Sequence, residues 1–467
     1  MTARRNPISL TRSYVRGEAL FGFWNVVSKA LGGVVLVVLV SALDVRSYGA
    51  YILVLSLYAF ASGLFLNTLL PVVLNDLARF IAEGEGARAK KLFVENFALR
   101  LCFGALLMSV FLGGADLISA RYSEDVAGLL RVLAFMFPIE AFYNSTKILL
   151  EARLRFGLIA ARPALYRTLK LLFLAYFLLT ATFGVREALI AYVAASLFSA
   201  AIFAVPLIRI LRAWRDTAVS EHSVLWSVVK THGNWPLLGQ AVTHATVNLR
   251  PWIIKTFVST EAVALYAVAE SLLGAVKAFL PSSTLAVLIP RTVADASRAA
   301  VVLLRGTKLL TVFAVGLGLC AALAMPPIVA FFLPHYREAL PLFGILLLAL
   351  PFLAVSAMSM TFLMALRRQR YLLALQMVKI AGGVFFPLTL VYFFGAAGMA
   401  MERVLSALLL DALAVWYLLT RFVPRRLWPL AYTFDAKDRA LVQAAFRRLA
   451  RVLRGKIESI TGAVRPR

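Results

Sequence analysis

Charge is scarce in this 467-residue chain, and acidic charge is scarcest. Asp and Glu number 23 against 49 Lys and Arg, and the two signs together make up 15% of the residues. A soluble protein of this length would show about 25% charged residues spread over two or three domains. The polar surface for such domains is missing. Cysteine is nearly absent as well. Cys102 and Cys320 both fall within apolar runs, so no disulfide framework or thiolate metal site can be built. There is no Walker A sequence, no His-Glu-x-x-His and no Cys-x-x-Cys, which removes ATP hydrolysis and two common metal chemistries.

What the chain has in abundance is hydrophobic residues, 61% of the total, gathered into apolar runs of membrane-spanning length from one end to the other. The opening MTARRNPISLTRSYVRGEAL stays basic too long for a removable signal peptide, and the first apolar run lengthens into a full span. The pattern predicts an all-α polytopic membrane protein with twelve transmembrane helices. They fall near 19–42, 48–70, 92–114, 126–149, 158–182, 186–208, 232–257, 262–289, 308–332, 340–364, 371–394 and 397–420. The expected organisation is a basic N-terminus (1–18), a six-helix bundle (19–208), a linker (209–231), a second six-helix bundle (232–420) and a basic tail (421–467).

Basic residues concentrate on the side of the termini. The opposite loops hold only Arg46, Arg121, Arg186 and Arg337, outnumbered there by acids. This bias predicts that both termini are cytoplasmic. In the tail, Leu441, Val442, Ala445, Phe446, Leu449, Val452 and Leu453 recur at helical spacing opposite Arg447, Arg448, Arg451 and Arg454. Such a helix is suited to lie on anionic membrane lipids. The net charge of +26 thus has a membrane explanation, and nucleic acid is not an expected partner.

The halves also repeat. An offset of 215 carries SYGAYILVLSLYAF (47–60) onto AVALYAVAESLLGA (262–275), with Tyr51 on Tyr266; an offset of 213 carries Pro138 onto Pro351. Six spans per repeat leave both repeats in one orientation. Parallel repeats of this kind are related by an axis along the membrane normal, and transporters place the substrate site between them.

Several short motifs carry a family resemblance. They are SYGAYIL after the first span, RFIAE (79–83), LLEARLRFG (149–157), EAVALYAVAESL (261–272) and GAAGMAMERVLSALLL (395–410). In order and spacing the chain resembles the polysaccharide transporters of the multidrug/oligosaccharidyl-lipid/polysaccharide exporter (MOP) superfamily, especially O-antigen-type flippases. The resemblance implies two six-helix bundles opening alternately as a V. It implies a lipid-linked oligosaccharide as substrate, moved from the inner to the outer leaflet of a bacterial or archaeal inner membrane. Polysaccharide polymerase and glycosyltransferases are then the expected partners, and no enzyme activity is expected.

A flippase needs hydrogen bonds and positive charge for a phosphorylated glycan head, and deep polar residues are the candidates. Asn25 and Lys29 share one helical face of the first span, and the 215-residue offset carries them onto Gln240 and His244 in the seventh. Asn248 extends that stripe. Arg250 faces either cargo or headgroups, and Pro251 is the candidate hinge of that span. Lys170, Lys277 and Lys379 are candidates for phosphate contacts, set against the plainer reading that they pair with buried acids. Glu270, Glu140 and Asp411 are candidates for H⁺ or Na⁺ coupling, or structural neutralisers of the lysines. Arg79 stands at the cytoplasmic mouth, where it either guides an anionic head or follows the positive-inside bias. No cofactor is expected beyond a coupling ion. A cation-coupled multidrug exporter of the same superfamily is the alternative, and a glycan polymerase or ligase ranks below both.

Overall fold

The computed structural model describes residues 7–122, 126–180, 182–217, 222–232, 234–280, 289, 296–366, 368–433, 435, 436 and 438. Among these the chain is helical, with no strand. In order, α1 spans Pro7–Ala42, α2 Val45–Ser62, α3 Leu70–Glu83, α4 Gly86–Tyr122, α5 Ala127–Ala134 and α6 Met136–Ala152. There follow α7 Phe156–Leu179, α8 Val185–Ala201, α9 Ala204–Ala213, α10 Val224–His232, α11 Asn234–Phe257 and α12 Thr260–Lys277. The remaining long elements are α13 Ala296–Phe332, α14 Ala339–Leu347, α15 Leu350–Ala365 and α16 Gln369–Arg421. The predicted amphipathic tail lies outside the described residues.

Local chemistry marks the helix ends. Asp44 caps α2, its carboxylate accepting from the Ser47 amide at 3.2 Å. Gly84 ends α3 in the left-handed conformation (φ 80°), which frees the chain to turn into α4. The two prolines related by the repeat have matching places. Pro138 and Pro351 each sit in the first turn of the second helix of a broken pair, α5/α6 and α14/α15, the latter bent by 42°. Proline lacks an amide hydrogen and cannot close the ladder of the preceding turn, so a break there is expected.

The 53-residue α16 is two helices joined at Gly395, whose φ of 58° and ψ of −139° are not helical. The rings of Tyr371 and Tyr417 prove the reversal. A straight helix would hold these residues about 70 Å apart at 1.5 Å per residue. Instead the rings stack at 3.8 Å, and the Tyr371 hydroxyl donates to the Leu413 carbonyl at 2.6 Å. The turn falls where the sequence separates the last two spans.

Among the described residues, six helical stretches are long and apolar enough to cross a membrane, or seven if α14 and α15 form one span. One of the six, Arg370–Arg421, contains the reversal at Gly395. Helices such as α7, with Arg162, Arg167 and Lys170, and α12, with Glu261, Glu270 and Lys277, are too charged to qualify.

By contact the chain forms two compact units. The first comprises Met1–Ser271, Pro326–Leu342 and Gly383–Met399; the second comprises Leu272–Met325, Phe343–Gly382 and Ala400–Arg467. This grouping reports which segments pack together; the division into six-helix repeats rests on the sequence. In the first unit α1 packs along α7 and α4 along α6. One apolar cluster there includes Leu77, Phe93, Leu149, Phe203, Trp214 and Leu225. The segment after α9 is tied to this cluster. Lys90 donates to the Thr217 carbonyl at 2.8 Å, and Glu95 accepts from the amides of Val224 and Leu225 at 3.1 and 2.8 Å, capping α10.

In the second unit the chain beyond α16 is clasped to α13. Lys308 bonds Asp438 and the carbonyls of Leu430 (3.1 Å) and Thr433 (2.7 Å), and Arg305 pairs with Asp435. The hydrogen bond from Lys308 holds the Asp438 carboxyl below the usual carboxylate range. A group lowered in this way stabilises the fold above its unfolded value and ceases to as pH falls through its folded value. The clasp should therefore persist at neutral pH and open only in strong acid. Asp438→Asn should mimic the open state at neutral pH, seen as severalfold faster tryptic cutting at Arg425 and Arg426, by the loss of one charge-assisted bond. An unchanged digest would mean that Asp438 does not hold this segment.

Candidate functional site

The site is built around an irregularity in the second span. After α2 the backbone makes a five-residue π-helical turn, Gly63–Asn67. Such turns widen the ladder and leave carbonyls to be satisfied by other groups, and they recur at functional sites. Here the Thr68 hydroxyl donates to the carbonyls of Gly63 (3.0 Å) and Leu64 (2.8 Å), and the buried Arg100 guanidinium of α4 donates to that of Leu66. At Gly63 α11 comes close: a Cβ there would stand 2.8 Å from His244 Cβ. One turn on, Asn248 donates to the carbonyls of His244 (2.7 Å) and Ala59 (3.4 Å).

Beside the π-turn lies a cavity of about 410 Å³, wholly within the first unit. Four helices each line it with a pair of residues four apart, and hence on one face. The pairs are Glu140/Asn144 on α6, Arg162/Tyr166 on α7, Tyr192/Ser196 on α8 and His244/Asn248 on α11. Glu140 is the hub. Its Oε1 accepts from Asn67 (3.0 Å) and Asn144 (3.2 Å), and its Oε2 accepts from the Tyr58 hydroxyl. Asn144 also donates to Asn67 Oδ1 at 2.9 Å. The Arg162 guanidinium lies over the Tyr143 ring, 3.3 Å from its centroid, and Tyr166 meets Tyr192 edge to face at 5.9 Å.

The carboxylate is thus held in one orientation by three donors on two segments of the chain. Ionisable groups at membrane depth are costly unless they face a partner, water or a ligand, and Glu140 has the first and borders space for the others. Among the described residues no three His, Cys, Asp or Glu side chains converge as a metal site.

The residues singled out from the sequence lie as follows. His244, Asn248 and Glu140 meet at this cavity. Lys170 is buried one layer behind it: its ammonium donates to the Tyr51 hydroxyl at 2.9 Å and lies 5.0 Å from the Tyr192 ring. Asn25 and Lys29 are exposed on α1, and the side chain of Gln240 lies outside the described residues. Arg250 is buried on α11, which runs through Pro251 as one helix. Lys277 is exposed at the end of α12, and Lys379 is half-buried in the second unit. Arg79 pairs with Asp76 at 2.8 Å. Glu270 accepts from Tyr266 at 2.7 Å, and Asp411 is buried in the second unit.

Sequence reasoning did not single out Tyr58, Asn67, Asn144, Arg162, Tyr166 or Tyr192 as part of one site. For Asn144, Arg162, Tyr166 and Tyr192 the signal was the spacing of four that marked Asn25/Lys29, which recurs on α6, α7 and α8; Tyr58 and Asn67 carry no such mark.

The profile of the polysaccharide biosynthesis protein family matches residues 43–335. Among solved structures the chain is similar to an inward-facing multidrug resistance MATE family transporter of the MOP superfamily, at 15% identity and a TM-score of 0.71, covering 84% of this chain and 94% of that one. It is similar to the lipid II flippase MurJ in an inward closed conformation, at 11% identity and a TM-score of 0.68, covering 96% and 100%. It also resembles an outward-facing multidrug resistance MATE family transporter of the MOP superfamily, at 16% identity and a TM-score of 0.56, covering 87% and 95%. No curated protein matches the chain. At these identities the structural likeness speaks for the fold, and the profile match over more than half of the chain speaks for the family. The chain belongs to the polysaccharide biosynthesis protein family and has the helical fold of the MOP-superfamily membrane transporters.

Proposed function

We propose that the protein flips a polyprenyl-(di)phosphate-linked oligosaccharide from the inner to the outer leaflet of a bacterial or archaeal cytoplasmic membrane, by alternating access, for cell-surface or exported polysaccharide. The observation that carries this reading is a cavity among the helices of the first unit, lined by hydrogen-bonding side chains with one carboxylate and one guanidinium. Such a lining suits a polar, hydroxyl-rich head. The family's tie to polysaccharide biosynthesis points the same way. We assign H⁺ or Na⁺ coupling to Glu140, because it is the carboxylate that borders this cavity, with Glu270 and Asp411 as alternates. Anionic lipids beneath the basic tail, and glycosyltransferases and a polymerase upstream and downstream, complete the expected setting.

A second reading is a cation-coupled multidrug exporter. A carboxylate among tyrosine rings favours it, as does the likeness to MATE transporters. Against it, Arg162 adds a positive charge to the same cavity, which disfavours a cationic drug as cargo. Deleting the gene in its native host separates the two. The flippase reading expects polyprenyl-linked glycan to accumulate on the inner leaflet with drug tolerance unchanged. Drug sensitivity without glycan accumulation would establish the exporter instead.

A further inference from the structure

We infer that the cavity in the first unit is a subsite for a single uncharged pyranose of the cargo glycan, and not for its phosphate. The inference rests on the flippase reading and refines it. Size comes first. The 410 Å³ exceeds the bulk of one sugar ring, leaving room for several waters at ~30 Å³ each. It also lies within the range usual for small-molecule sites.

Chemistry comes second. A pyranose presents C–H groups on one face and hydroxyls around its edge. The perpendicular rings of Tyr166 and Tyr192 offer an aromatic face to the first. The second needs acceptors and donors that are not already spent. Three of the roughly four acceptor positions on Glu140 are taken, leaving one. Among the described residues, Asn248 Oδ1 and Ser196 Oγ, both on residues that line the cavity, accept from no group.

Charge comes third. The lining carries one carboxylate, one guanidinium and the His244 imidazole, with no cluster of cations to seat a phosphate. An acidic sugar or a phosphate would be set against Glu140. The lysine best placed to offset it, Lys170, is turned away to Tyr51 behind the Tyr192 ring.

The test uses the full-length protein in nanodiscs of neutral lipid, with saturation-transfer NMR on three probes: methyl β-glucopyranoside, methyl N-acetyl-β-glucosaminide and methyl β-glucuronide. At least one neutral probe should bind, and the glucuronide several times more weakly. Tyr192→Ala should weaken the neutral probe by about tenfold, as expected for one lost aromatic face. Tyr192→Phe, which keeps the ring and guards against a mere folding defect, should retain binding, as should Arg131→Ala at an exposed ion pair with Asp116. Equal binding of the glucuronide, binding that survives Tyr192→Ala, or no binding of either neutral probe to protein that unfolds with a native transition would each overturn the subsite. Flipping of lipid-linked glycan is measured in parallel with the same preparation. Flipping without sugar binding would remove the subsite and leave the flippase. Sugar binding without flipping would do the reverse.

Discussion

Transport by Glu140→Ala is expected to fall by at least a hundredfold at matched expression, while most of the folded protein survives. The two effects part because of where the carboxylate stands. Its removal strips the Tyr58 hydroxyl and the amides of Asn67 and Asn144 of their common acceptor. Each buried donor so orphaned would cost about 1–3 kcal/mol in a dry core. Here the donors border a cavity with room for water, and bridging water recovers most of the loss. Function has no such substitute. A water cannot hold Tyr58 and Asn67, which belong to one polypeptide segment, against Asn144 on another with the precision that ligand geometry needs. Nor does it carry the charge assigned to coupling. Glu140→Gln separates these contributions. Its amide oxygen still accepts from both asparagines, and its amide hydrogen faces a Tyr58 hydroxyl that is free to rotate and accept. Stability should then be near wild type and transport still lost. Flipping of lipid-linked glycan in vesicles is the measurement. Full transport by Glu140→Ala would remove the cavity from the mechanism.

The second large effect is on stability, at Gly49. A Cβ on this residue would lie 2.1 Å from the backbone oxygen of Thr260 and 2.9 Å from its carbonyl carbon. Backbone cannot swing aside as a side-chain tip does, so Gly49→Ala must push α2 away from the start of α12. Both residues are buried, and overpacking of this kind typically costs about 1–3 kcal/mol, with backbone clashes at the upper end or beyond. Gly33→Ala is the matched control. It lies mid-helix on α1 with no heavy atom within 4 Å of the added methyl. Alanine is the better helix former by about 1 kcal/mol, so this change should be neutral or stabilising. Thermal unfolding in detergent should therefore move in opposite directions for two chemically identical substitutions. Equal behaviour would mean that the close approach at Gly49 is not present in solution. The contrast also bears on a difference between the repeats: the 215-residue offset carries Gly49 onto Ala264, a buried residue whose methyl is part of the core.

Much of the fold was legible because hydrocarbon demands apolar runs and breaks announce themselves through proline and glycine. Gly395 falls between the last two predicted spans and marks a real reversal, whereas the breaks beside Pro138 and Pro351 fall inside the spans predicted at 126–149 and 340–364. The site was legible only where charge or the repeat drew attention. His244 and Asn248 stood out as a stripe in the seventh span, and Glu140 as a deep acid. Tyr58, Asn67, Asn144 and Tyr192 escaped because a neutral amide or a phenol hardly disturbs the hydropathy of a span. Lys170 was read as deep but without its partner, and the burial of Arg100 was not read. Burial of a cation depends on its having a hydroxyl, ring or carbonyl to meet, and those partners come from distant segments: Tyr51 for Lys170, and the Leu66 carbonyl for Arg100. Exposure of Asn25 and Lys29 on α1 follows the same logic in reverse, since α1 turns the backbone carbonyl of Ser28 toward Arg167 of α7.

The π-turn has a consequence for angular phase. Tyr58 and Asn67 are nine residues apart, which in an uninterrupted α-helix would set them about 180° from each other. They nevertheless bond the same carboxylate. The π-turn absorbs one residue without advancing the helix, so the pair are separated by the phase of eight, about 80°, and reach the same side. The second span is thus one residue longer than its geometry uses, and the surplus is what aims Asn67 at Glu140. Removing one residue from 64–66 would leave that aim nearly intact. Straightening the turn at full length would rotate Asn67 away by about 100°.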